Sequence, residues 1–192
     1  MPDDADTTVH YDQDYYLWAL SQARALRSAR DALADLRTND WRDRIADLDW
    51  ENLAEEIESL AQRDYRELGS RISTIVEHLE KLHFSPAPDP RGGWIRTIDR
   101  EREEISILLR ASPSLRRHLT ALIEERTDKA AKRARDDLSD RGELAQASLA
   151  TLVRPAYTPD QILTDWWPEK PQFGGPHLGG RGESTKETEP NP

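Results

Sequence analysis

From Asp49 to His83 the chain contains no proline, and apolar residues recur at Trp50, Leu53, Ile57, Leu60, Leu68, Ile72, Ile75, Val76, Leu79 and Leu82. Spacings of three and four keep these side chains on one face of an α-helix. At 1.5 Å per residue such a helix is about 50 Å long. That is long for a globular protein and favours an elongated bundle or a dimer along the rod. Asp49 stands where an N-cap belongs, with Leu48 and Leu53 placed as a hydrophobic staple around it. Gly69 lies inside the run at a cost of about 1 kcal/mol relative to alanine. It marks a bend, a close helix approach or a tolerant surface position.

The start of this helix, DWENLAEEIESL, is rich in acids. At 100° per residue Glu51 and Glu55 point away from the apolar stripe, Glu58 lies at its edge and Glu56 on the other flank. A solvated or salt-bridged face near the positive end of the helix dipole accounts for most of them. Glu56 is retained as a candidate site residue. Asp64, Arg71 and His78, spaced by seven, are more unusual: the first two fall inside the stripe and His78 on its edge. A buried charge needs a partner. These three are therefore expected either to form a structural ion-pair layer that sets helix register or to line an interhelical site, with Arg71 binding an anion and His78 acting as acid, base or ligand.

Other segments also read as helices. YDQDYYLWALSQARALRSARDALADL opens with Asp12 and Asp14 as N-cap candidates and could break near Ser28. Its aromatics Tyr15, Tyr16 and Trp18 suit a packing anchor. A turn at Thr38-Asn39-Asp40 and a short amphipathic piece with Trp41 and Ile45 lead into the long helix. SPAPDPRGG then interrupts regular structure. WIRTIDREREEISILLR gives a third helix, and a fourth starts with Ser112 as N-cap and Pro113 at N1, running to about Leu138. Residues 143 to 153 suit a short fifth helix, and Tyr157-Thr158-Pro159 starts another through Ile162 and Leu163 to Trp166-Trp167. No segment alternates as a strand would. The expected architecture is all-α: an elongated antiparallel bundle of about four main helices around one long central helix, with short C-terminal helices. Residues 1–10 are expected to be a flexible N-terminus, 11–168 one domain, and 169–192 a disordered Gly- and Pro-rich tail.

Several functional classes are disfavoured. With no cysteine, thiol catalysis, disulfides and thiolate metal sites are absent. The net charge of -10 opposes general nucleic-acid binding. Residues 91–135 nevertheless carry 12 Lys and Arg against 7 Asp and Glu, between two acidic flanks. Packing of basic helices against acidic ones explains this more simply than an anion surface does. Acids interleave the basic residues of the fourth helix, with Glu125–Lys129 and Asp128–Lys132 at i,i+4. Glu80-x-x-His83 has a spacing used in di-iron bundles, but it occurs once and Glu80 is expected to point outward. The Gly175 to Arg181 segment lacks the Lys-Ser/Thr of a phosphate loop, and no hydrolase or dehydrogenase motif is present. No cofactor or metal is expected. No run approaches a membrane span or a secretory signal, so a cytoplasmic location is expected.

The ordered set YDQDYYLWALSQARALR, DWENLAEEIESL with HLEKLHF, WIRTID, SPSLRRHL and YTPDQILTDWWPE resembles the bacterial family catalogued as domain of unknown function 29. The resemblance covers about residues 11 to 169. It departs between about Ser28 and Ala46, where the connection into the long helix is lengthened and includes Trp41. It implies a small all-helical bacterial protein and no particular activity. The favoured expectation is a non-enzymatic protein-interaction module that binds a protein partner, foremost itself as a homodimer. The alternatives are a ligand-binding or enzymatic bundle around Asp64, Arg71, His78 and Glu56, and a nucleic-acid-contacting adaptor acting through the fourth helix.

Overall fold

The computed structural model describes residues 10–34, 48–143 and 156–169. The Trp41 piece, the short helix expected after Glu143 and the tail beyond Glu169 lie outside the described residues. Within them the structure is helical: α1 (Tyr15–Ala34), α2 (Trp50–Phe84), α3 (Arg91–Ala111), a 3-10 turn (Pro113–His118), α4 (Leu119–Asp140) and the short α5 (Pro159–Leu163).

Local chemistry sets most helix ends. Asp14 accepts from the Leu17 N–H at 2.9 Å and starts α1, which continues unbroken through Ser28. The expected break is absent because good helix formers surround the serine. Asp49 accepts from the Asn52 N–H at 3.1 Å and caps α2. Ser85 closes that helix just before Pro86 and Pro88. After α4, Gly142 takes φ +69, letting its own N–H reach the Ser139 carbonyl and that of Glu143 the Leu138 carbonyl. A non-glycine residue strains in that left-handed conformation. At α5, Thr158 and Gln161 form a reciprocal capping box. One expected cap is corrected: Ser112 makes no side-chain cap bond, and the segment after it is a 3-10 turn before α4 begins. The cap comes from far away, because Asp14 accepts from both the Ser114 N–H (2.6 Å) and its hydroxyl (2.9 Å).

The helices alternate in direction along α2. Arg27 near the end of α1 bonds Glu51 and Glu58 near the start of α2, so these two are antiparallel. Arg71 of α2 meets Glu101 and Glu104 of α3, again antiparallel. Gly69, Glu77 and Lys81 face Arg126, Arg133 and Asp137 in ascending order, so α4 runs parallel to α2. Gly69 marks a close approach: a Cβ there would lie 3.2 Å from both Leu122 Cδ2 and Arg126 Nε.

Asp64 divides α2 in two. Ser112, immediately after α3, touches Asp64, and His118, immediately before α4, packs on Tyr65. Neither α3 nor α4 reaches further toward the start of α2. Beyond Asp64 they form a body with Leu68, Ile72, Ile75, Val76 and Leu79, all fully buried against Trp94, Ile98, Ile105, Leu122 and Leu138. Before Asp64, residues 50–64 pair with α1 as an arm about 20 Å long. The α1–α2 contact there is made by small side chains, with Ala19, Ala23, Ala54 and Ala61 all buried.

Candidate functional site

The junction between arm and body is polar. The Asp64 carboxylate is 7% exposed and is met by the Ser112 hydroxyl at 3.4 Å, a long bond for a buried charge. The same hydroxyl accepts from the Tyr16 N–H at 3.2 Å. Burial pushes the Asp64 carboxyl above its ordinary range; Arg63 and the Ser112 hydrogen bond pull it back, while Glu67 adds to the rise. Tyr16 and Tyr65 place ring edges against His118 at 5.8 and 5.4 Å. Burial, and then the Arg117 charge, holds His118 below its usual pKa.

The four sequence candidates do not meet in one place. Arg71 is held by three carboxylates: Glu67 at 2.7 Å, Glu101 at 2.9 Å and Glu104 at 3.3 Å. Its donors are committed within the chain, which argues against a free anion-binding guanidinium. The His78 ring bonds within its own helix, Nδ1 to the Thr74 carbonyl at 2.8 Å. Glu56 is exposed on the arm and makes no ion pair among the described residues. Asp64, Arg71 and His78 thus serve three separate local contacts, not one layer.

Glu80, expected outside, is instead 3% exposed. The Tyr157 hydroxyl donates to one of its oxygens at 2.6 Å. The other lies 3.9 Å from Arg135 Nη2 and has no hydrogen-bond partner. Burial raises the Glu80 carboxyl above its ordinary pKa, and drives the Tyr157 phenol well above its own. Nothing local in the sequence signals this, because the covering residue comes from 77 positions away. His83, the other half of the Glu-x-x-His spacing, is exposed, and among the described residues no group of three His, Asp or Glu is placed to hold a metal ion.

A second long-range contact fixes the C-terminal segment. Arg102, buried on α3, donates to the carbonyls of Ile162 (3.0 Å), Gln161 (3.0 Å) and Trp166 (2.8 Å), and stacks on Trp167 at 4.8 Å. Those carbonyls end α5 after one turn, which stops the helix short of the expected Trp166-Trp167. The basic α4 is knitted to α2 by Arg133–Glu77 (3.0 Å) and Lys81–Asp137 (2.9 Å). Arg133 and Arg135 thus meet the α2 acids Glu77 and Glu80, whereas Lys81–Asp137 pairs a base of α2 with an acid of α4. Lys132 pairs with Asp136, one helical turn on, at 2.6 Å, and Glu125 with Arg126 at 3.1 Å.

These features define an all-α protein: one long helix with a three-helix body at one end and a two-helix arm at the other. The chain belongs to the family described as Domain of unknown function DUF29, which matches residues 10–167. A solved crystal structure of an α-helical protein of unknown function from Rhodospirillum rubrum is similar in fold, with a TM-score of 0.61 at 22% identity, covering 82% of this chain and 90% of that one. No curated protein matches. Among the described residues no helix is long and apolar enough to cross a membrane.

Proposed function

We propose that this protein is a non-enzymatic protein-interaction module that self-associates, and that its arm is the contact surface. The observation that supports this reading is the fate of one apolar stripe along α2. Leu68, Ile72, Ile75 and Leu79 are 0% exposed, whereas Leu53 of the same stripe is 43% exposed, Leu48 just before the helix is 44% exposed, and Ile57 and Leu60 are only partly covered. Leu53 and Arg71 are eighteen residues apart, five turns of helix, so they lie on one line along α2. Arg71 faces α3. Leu53 therefore faces the space beyond the end of α3, and a further helix there would bury the stripe as α3 does in the body. A helix pair of this kind is completed by two more helices in a four-helix bundle.

Light scattering coupled to size exclusion over a dilution series tests the reading. The expected result is a mass twice that of the chain at high concentration, falling toward the monomer on dilution. A monomer at every concentration overturns it.

A further inference from the structure

The charges flanking the arm stripe carry information about how a second copy would sit. Glu56 and Arg63 are both exposed, and neither makes an ion pair among the described residues. Every other charged residue of the arm portion of α2 except Glu55 is engaged: Glu51 and Glu58 by Arg27, and Asp64 by Ser112. Glu56 and Arg63 are seven residues apart and so share one flank of the stripe formed by Leu53, Ile57 and Leu60. The opposite flank carries Ala54 and Ala61, which are buried under α1.

These positions are selective for orientation. In a two-fold symmetric pair of antiparallel helices, each flank meets the same flank of its partner, and residues equidistant from the axis face each other. With Ile57 opposite Leu60 of the second copy, Glu56 of one chain lies two residues, about 3 Å along the axis, from the level of Arg63 of the other, within reach of these long side chains, and the reverse pair forms by symmetry. A parallel pairing in register would place the charged flank against the alanine flank covered by α1, and α1 would block it. The antiparallel arrangement keeps both α1 helices on the outside and yields a four-helix bundle from two arms. It also sets Leu53 of each arm level with Asp64 of the other copy, where α3 ends.

We infer that the arm's occupant is the arm of a second copy of this chain, packed antiparallel through Leu53, Ile57 and Leu60 and locked in register by two symmetric Glu56–Arg63 ion pairs. This rests on the self-association reading above. It also gives Glu56, isolated from the other candidate residues, a place in an interface.

Charge exchange tests it, read by sedimentation velocity across a concentration series, with circular dichroism and melting temperature as folding controls. Glu56→Arg alone and Arg63→Glu alone each replace two attractive contacts with two repulsive ones. Each is expected to weaken the dimer about tenfold or more with the monomer still folded; Arg63→Glu also takes away the positive charge that offsets buried Asp64, so its melting temperature is expected to fall while that of Glu56→Arg does not. The double variant Glu56→Arg/Arg63→Glu restores both pairs and should return the dimer to within a few-fold of the parent. A parent dimer that is indifferent to the single changes, or a double variant that adds their losses, overturns the antiparallel pairing and leaves self-association standing by another surface. A parent protein that is monomeric throughout overturns both.

Discussion

The two halves of α2 are built from the same apolar repeat and end in different states. After Asp64 the repeat is enclosed by α3, α4 and the C-terminal segment, and its leucines and isoleucines are fully buried. Before Asp64 α1 is the one described helix beside it, joined through alanines and an Arg27 bridge to Glu51 and Glu58. Periodicity thus specifies a helix and its apolar face, but the amount of that face removed from water depends on how many neighbours reach it. Burial, not helix propensity, supplies most helical stability. The body half is therefore the stability centre, and the arm half has apolar surface left to bury.

The sharpest break of this contrast is a pair of truncations. Leu79→Ala in the body should cost 2–5 kcal/mol in urea or thermal unfolding, by lost burial and a residual cavity. Leu53→Ala on the arm should change the unfolding free energy of the isolated monomer by no more than about 0.5 kcal/mol, while weakening self-association. Equal costs at the two sites would mean that the arm is enclosed as fully as the body.

An intermediate effect is expected at the body's buried carboxyl. Tyr157→Phe removes the donor to Glu80 and should cost about 1–3 kcal/mol, since a buried oxygen loses its partner; chemical denaturation measures it.

The smallest effect separates the halves by pH. Because burial raises the folded-state pKa of Glu80, its contribution to stability is fully present below the unfolded value of about 4.3 and is lost as pH rises through the folded value. On the arm the sign is reversed. The Arg27 hydrogen bond lowers the Glu51 pKa, so its contribution is present above the unfolded value and fades as pH falls through the folded one. Melting temperatures from pH 3 to 8 should show Glu80→Gln losing the decline on the alkaline side, and Glu51→Gln flattening the acid side. Identical profiles for the two variants would remove the distinction.

Much of this architecture is legible in the sequence because it is local. Asp49, Pro86, Gly142 and the Thr158–Gln161 box act within a few residues of the helix ends they define. Proline and apolar spacing place α2 and α3 to within a few residues, and the end of α4; the start of α4 falls six residues beyond the expected Pro113, after the 3-10 turn. The contacts that organise the helices in space are legible only in part. Asp64 and Arg71 are recognisable as charges on an apolar face, but not that one meets Ser112 and the other Glu101, because those partners sit 48 and 30 residues away. Ser112 looks like a cap and works instead as a bridge between Asp64 and Tyr16. Glu80 looks exposed because a helical wheel does not contain Tyr157. The ring of carbonyls around Arg102 depends on the irregular backbone between Gln161 and Trp166, for which apolar periodicity has no signal.

Asp14 has a consequence for motion. One carboxylate ends two elements, α1 through the Leu17 N–H and the 3-10 turn through Ser114, a hundred residues on. The base of the arm therefore shares its capping carboxylate with the 3-10 turn from which α4 departs, and the two openings have a single latch. In native-state hydrogen exchange the amides of Leu17 and Ser114 would behave as one kinetic unit, so that anything steadying the arm from outside is felt at the start of α4.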